Sequence, residues 1–271
     1  MKYKMVVSDF DGTLSYSTDT VVNYISKANV DAINSFISRG GTFIVCTGRA
    51  TTGIVKILKA VNYKGYFATY NGAVIGDLVT GKIFKRTPIS NELVLKFIKL
   101  AEKFNVNIHT YPNDVLCIKK ETEYTKWYTS LNCDLEVNVI PNLYEYFKEN
   151  GFDSAKLILN DNPLVLDKYI NEFIKTFPEC NVVRATSHLV EINMANVSKG
   201  EAVKTLCDVC NVKIEETIAV GDAGNDISMI QQAGLGVAMG NASDVVKKSA
   251  GYVARDVKDD AIKYLIEELC I

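Results

Sequence analysis

Residues 4–14 read "KMVVSDFDGTL". Met5, Val6 and Val7 form the short continuous apolar run that fills the middle of a parallel sheet, buried on both faces. Asp9, Asp11 and Gly12 stop it, because Asp and Gly weaken a ladder and favour turns. Two carboxylates one residue apart repel each other at the end of a strand. Either both face water, or a positive charge is meant to lie between them.

The flanking sequence alternates strand and helix. Val21, Tyr24, Ile25, Ala28, Ala32, Ile33, Phe36 and Ile37 recur at helical spacing, which predicts a helix over 21–39 closed by Gly40-Gly41. "TFIVC" (42–46) reads as a second buried strand, followed by a helix near 50–61 and a third strand, "YFATY" (66–70). "NGAVIGDLVTGKIF" (71–84) predicts a hairpin with Gly76-Asp77 and Thr80-Gly81 as its turn chemistry. The last stretch returns to this rhythm: helix 199–210, strand "TIAVGD" (217–222), helix 224–233, strand "GLGVAM" (234–239), and helices 241–248 and 258–269. The middle differs. Helices "NELVLKFIKLAEKF" (91–104) and "NPLVLDKYINEFIKTF" (162–177) accompany short strands that include "VLCIKK", "AKLILN" and "HLVEINM". The expected fold class is therefore α/β: a doubly wound parallel-sheet, Rossmann-like core from 1–82 and 194–271, with an α+β domain inserted over 83–193.

Composition bounds the function. The chain has 271 residues, 48% of them hydrophobic and 23% charged, which is ordinary for a globular protein. With 30 basic against 32 acidic side chains, no net field would hold nucleic acid or an anionic membrane. No apolar run approaches a membrane span, and "MKYKMVV" lacks a secretion-signal core, so a cytoplasmic location is expected. Seven cysteines in a chain of this length make no disulfide scaffold. Cys207 and Cys210 form a lone C-x-x-C and read as two small residues on a helix. "NVS" (196–198) and "NAS" (241–243) match a glycosylation pattern without meaning in a cytosolic chain. Only two histidines occur, His109 and His188, both in the inserted segment, which argues against a Ser-His-Asp triad or a histidine-rich zinc site. No P-loop is present, and the glycines of "GLGVAMG" (234–240) lie in a strand rather than between strand and helix.

Open parallel sheets bind ligands beyond the carboxyl ends of their strands. After the first strand come Asp9, Asp11 and Thr13; after "FIVC" come Thr47, Gly48 and Arg49. Lys199 and Gly200 open a helix, and Gly221, Asp222, Gly224, Asn225 and Asp226 follow "TIAV". Each cluster alone has an ordinary reading as a turn, a loop, a solvated lysine or an acid-rich helix start. Together they put several carboxylates, one lysine and small hydroxyls at one edge. Carboxylates without surplus basic partners suit a hard divalent cation, Mg²⁺ best. A lysine, a hydroxyl and backbone N–H groups suit a phosphoryl group beside it.

"DFDGTL", "TGR", "SKG" and "GDAGND", in this order, resemble the haloacid dehalogenase (HAD) superfamily of phosphohydrolases. The insertion, with "TYNGAVI" and "VEINMANVSKG", resembles the Cof-like subgroup with a C2-type cap. The resemblance implies a phosphatase for a small phosphorylated metabolite, most of all a sugar phosphate. Asp9 would attack phosphorus and form an aspartyl-phosphate, and Asp11 would act as acid and then base. Thr47, Gly48, Lys199 and Asn225 would bind the phosphoryl group, with Lys199 also offsetting charge on the nucleophile. Asp9, the Asp11 carbonyl and Asp222 would hold Mg²⁺. Ala223 stands where many relatives carry Gly or Ser, and a small residue still fits. Asp226 is open between supporting the metal ligands and capping a helix, and Arg49 between touching substrate and bracing its loop. Asn71 is open between facing the leaving group and making a common Asn-Gly turn, with the turn favoured. Cap loops around 109–120 and 184–193 would set specificity. A phosphotransferase or phosphomutase using the same nucleophile is the alternative, and a non-catalytic phosphometabolite-binding regulator is a further one. Neither nucleic acid nor membrane is expected as a partner; monomer and homodimer are both open.

Overall fold

The structure, a computed structural model, describes residues 2–18, 22–131 and 135–270. The chain divides into two compact units, Met1–Gly48 with Val55–Lys85 and Ser198–Ile271, and Arg49–Ile54 with Arg86–Val197.

The chain opens with β1 (Met5–Ser8), α1 (Lys27–Ser38), β2 (Thr42–Cys46), α2 (Thr51–Ala60), whose first turn groups with the second unit, β3 (Tyr66–Thr69), β4 (Val74–Asp77) and β5 (Ile83–Arg86). The second unit carries α3 (Asn91–Phe104), β6 (Ile108–Thr110), β7 (Leu116–Ile118), α4 (Glu123–Leu131), β8 (Val137–Val139) and α5 (Leu143–Asn150). It continues through β9 (Leu157–Asn160), α6 (Pro163–Thr176), β10 (Cys180–Thr186) and β11 (Leu189–Met194). The chain then completes the first unit with α7 (Lys199–Cys210), β12 (Thr217–Gly221), α8 (Ile227–Gln232), β13 (Leu235–Ala238), α9 (Asp244–Ser249), β14 (Tyr252–Val253) and α10 (Ala261–Leu269).

The large sheet runs β14-β13-β12-β1-β2-β3-β4-β5. β1 pairs in parallel with both β2 and β12, and every residue of β1 and β12 is buried. That is the continuous apolar run expected of a doubly wound core. The chain leaves β1 towards β2 and β3 on one side and returns through β12 towards β13 and β14 on the other. The order reverses between β1 and β12, which is where such sheets form a ligand crevice. β4 pairs antiparallel with β3.

Two expectations change. Val21 lies outside the described residues, and the first helix begins at Lys27 rather than 21. Ser26 caps it by accepting from the Asn29 N–H (3.1 Å), while Tyr24 pairs with Tyr16 and Asn23 is left-handed. Gly76-Asp77 is not the hairpin turn but the end of β4. The Asp77 carboxylate instead organises the next residues, accepting from the Val79 N–H (2.8 Å) and the Thr80 hydroxyl (2.7 Å). Of the lone C-x-x-C, Cys207 is buried and Cys210 half-buried at the end of α7, and burial raises both thiols above their usual range.

In the second unit the sheet runs β10-β11-β9-β6-β7-β8. Its alternate residues Ile108, Cys117, Leu157, Leu159, Val190 and Ile192 share one apolar core with Phe97 of α3, Phe147 of α5 and Phe173 of α6. Two of its helices, α4 and α5, escape a reading by period. α5 is eight residues long and buries only Leu143 and Phe147, a pair too short to display a repeat. Among the described residues, no helix is long and apolar enough to cross a membrane.

Candidate active site

Asp9 follows β1, and its N–H extends the ladder by donating to the Val220 carbonyl of β12 (2.9 Å). Asp222 leaves β12 on the neighbouring strand, so the order of the sheet brings together carboxylates from opposite ends of the chain. Gly12 makes the close approach possible. Its φ is +76°, and a Cβ there would stand 2.5 Å from Oδ2 of Asp222. Thr13, fully buried, donates its hydroxyl to Oδ1 of Asp222 (2.6 Å).

Lys199 occupies the first turn of α7, where Ser198 caps the helix by accepting from the Glu201 N–H (3.1 Å). The Lys199 side chain is 1% exposed and donates to Oδ1 of Asp9 (2.6 Å) and to Oδ1 of Asp226 (2.5 Å). Oδ2 of Asp226 accepts from the main-chain N–H groups of Asp222 (3.0 Å) and Ala223 (2.9 Å). Asp226 gives α8 no side-chain cap. It folds the loop after β12 and anchors the lysine.

Thr47, also fully buried, follows β2 and donates its N–H to the Ala68 carbonyl (2.8 Å). Its own carbonyl accepts from the Asn71 N–H (2.9 Å), and Asn225 donates Nδ2 to Oδ1 of Asn71 (3.4 Å). Asp11 is exposed and forms an isolated bridge with Ser15. Gly48 closes its stretch of the first unit, and Arg49 groups with the second. Asn241, which the sequence offered only as part of "NAS", donates Nδ2 to the Gly12 carbonyl (2.8 Å) and accepts from the Val257 N–H (3.1 Å). No local pattern announces that staple, because its two partners are remote in sequence.

Burial and the neighbouring Asp226 push the Asp9 carboxyl well above its usual range, although Lys199 pulls the other way. Burial likewise raises Asp222 to about 6 against the Thr13 hydrogen bond. Burial works to lower Lys199, but Asp226 and Asp9 outweigh it and hold the ammonium charged. Carboxylate oxygens of Asp9, Asp222 and Asp226 lie within 4.8 Å of one another, and Lys199 contacts two of the three. A cluster of three carboxylates at that spacing is a donor set that fits a hard divalent cation. Both oxygens of Asp226 accept hydrogen bonds, Asp9 gives Oδ1 to Lys199 and Asp222 gives Oδ1 to Thr13, and the three acids together could hold such an ion.

A sequence profile of haloacid dehalogenase-like hydrolases matches residues 6–266. The chain is 26% identical over 289 residues to phosphatase YwpJ of Bacillus subtilis, covering 98% of this chain and 99% of that protein. It is 26% identical over 288 residues to the 5-amino-6-(5-phospho-D-ribitylamino)uracil phosphatase YwtE of the same organism, covering 98% of each. The crystal structure of TM0651 from Thermotoga maritima superposes with a TM-score of 0.86 at 29% identity, covering 99% of this chain and 98% of that one. With its profile match spanning nearly the whole sequence and its acids gathered at the β1–β12 junction, this chain belongs to the haloacid dehalogenase-like hydrolase family.

Proposed function

We propose that this hydrolase is a Mg²⁺-dependent phosphomonoesterase that cleaves a small cytosolic phosphorylated metabolite, most of all a sugar phosphate, through an aspartyl-phosphate on Asp9. The observation that carries the reading is the buried contact between Lys199 and Asp9 beside Asp222. A carboxylate can approach a phosphate dianion only where fixed positive charge offsets their repulsion, and Lys199 supplies it at the attacking oxygen's own residue. The relatives named as phosphatases support the same reading.

In the first step an Asp9 oxygen bonds to phosphorus while the ester oxygen leaves, taking a proton from the Asp11 carboxyl. In the second, water gives a proton to Asp11 and bonds to phosphorus, freeing inorganic phosphate and restoring the Asp9 carboxylate. Thr47, the Gly48 N–H and Asn225 hold the phosphoryl oxygens, and Lys199 stays charged throughout. When held by Asp9, Asp222 and the Asp11 carbonyl, Mg²⁺ supplies further positive charge against the reacting phosphoryl group. The second unit is proposed to choose the leaving group.

The test is phosphate release from a panel of sugar phosphates, together with the phosphorylated ribitylaminouracil named for YwtE, with and without Mg²⁺, for wild type and Asp9→Asn. Release that requires Mg²⁺ and disappears in Asp9→Asn is expected. Equal release from the two proteins would overturn the assignment of the nucleophile.

A further inference from the structure

Tyr70, Asn71 and Gly72 have φ values of +53°, +61° and +98°, the longest left-handed run among the described residues. A bulky residue such as Tyr70 rarely adopts that conformation. It persists where surrounding contacts over-determine it, and such positions concentrate at functional sites. Here the contacts reach three site elements of the first unit. The Asn71 N–H donates to the Thr47 carbonyl (2.9 Å). Its Oδ1 accepts from Nδ2 of Asn225 (3.4 Å). Gly72 lies against the first turn of α7, where a Cβ would come within 2.8 Å of Ala202 and 3.0 Å of the Ser198 carbonyl, one residue before Lys199.

An ordinary Asn-Gly turn is exposed and asks nothing of its neighbours. Asn71 is only 9% exposed and joins the loop after β2 to the loop after β12. We propose that Asn71 is a positioning residue for phosphoryl binding: it fixes the amide of Asn225 and the peptide of Thr47 in one register, so that both meet the same phosphoryl group. Asn is suited to both demands, since it tolerates the left-handed region and offers an amide oxygen. Glycine meets only the first, and alanine meets neither. The proposal rests on the phosphatase reading of this site.

Calorimetric titration with inorganic phosphate in the presence of Mg²⁺ tests it. Asn71→Gly is expected to unfold within a few degrees of wild type yet bind phosphate about fivefold more weakly, the size of one neutral hydrogen bond. Asn225→Ala should cost about the same in wild type and in an Asn71→Asp background, where an acceptor and left-handed tolerance are kept. In the Asn71→Gly background it should cost nothing further. In turnover of a phosphoester, KM should rise more than kcat falls. Wild-type affinity in Asn71→Gly, or an equal cost of Asn225→Ala in the Gly and Asp backgrounds, overturns the positioning role alone. A wild type that neither binds nor releases phosphate removes the phosphatase reading, and the role of Asn71 with it.

Discussion

Asp226 shows how one side chain can organise a site without being its reacting group. One of its oxygens holds the Lys199 ammonium, both side chains fully buried, and the other accepts two main-chain N–H groups. Replacing it by Asn leaves Lys199 with one carboxylate and brings an amide N–H towards donors. Breaking a buried, hydrogen-bonded ion pair costs about 3 kcal/mol. Asp226→Asn should therefore lower the urea midpoint markedly and reduce phosphate release at least tenfold; unchanged stability would show that the anchor is dispensable. Gly12 makes a second residue-scale case. In Gly12→Ala the new methyl meets the Asp222 carboxylate at 2.5 Å from a backbone already at φ +76°. The expected outcome is at least a tenfold loss of Mg²⁺ affinity by calorimetry, with retained affinity counting against Asp222 as a ligand. The sequence leaves the role of Asp226 open and is silent on that of Gly12, since neither the close approach of Asp222 to Gly12 nor the two-sided engagement of Asp226 has a local signature.

At the scale of elements, the start of α2 has an unusual partner. Asp114 accepts from the Thr51 N–H (2.9 Å) and, through its other oxygen, from the Thr52 N–H. These are orphan donors of the first turn, and a carboxylate there also meets the positive end of the helix dipole. The contact ties Arg49–Ile54 to the second unit, with which it groups. Asp114→Ala should cost about 1 kcal/mol in urea unfolding, and Asp114→Asn less, because an acceptor remains. Equal losses in the two variants would point to charge rather than capping. The sequence predicts a helix near 50–61 but not this cap, whose carboxylate comes from 63 residues further along the chain. Long elements with many apolar positions, such as α3 and α6, are legible in the sequence. Short ones that bury two side chains, such as α5, depend on the sheet they cover.

At the scale of the whole molecule, a ligand that binds only the folded chain stabilises it by mass action. Mg²⁺ at a hundredfold excess over its dissociation constant adds about 2.7 kcal/mol. The thermal midpoint should therefore rise with Mg²⁺ in wild type and stay put in Asp222→Asn. Acid should act through the second unit. His109 is 1% exposed, against the Thr125 hydroxyl (3.3 Å) and the Tyr128 ring. Burial first, and the charge of Lys156 second, depress its pKa from 6.5 to about 3. The folded state keeps this imidazole neutral while the unfolded state takes up a proton below pH 6.5. Its contribution is thus complete above that pH and is lost progressively as pH falls towards 3. His109→Gln should flatten the stability profile in that window, and an unchanged slope would place the acid sensitivity elsewhere. The sequence by itself determined the α/β rhythm, the apolar strands of the core and the chemistry available at their ends, because burial on both faces and turn-forming acids are local properties. Only the tertiary structure decided that β1 and β12 are neighbours, that Lys199 is shared between Asp9 and Asp226, and that Asn71 joins two loops. Those facts depend on strand order and on side chains remote in sequence meeting in space, which no local preference encodes.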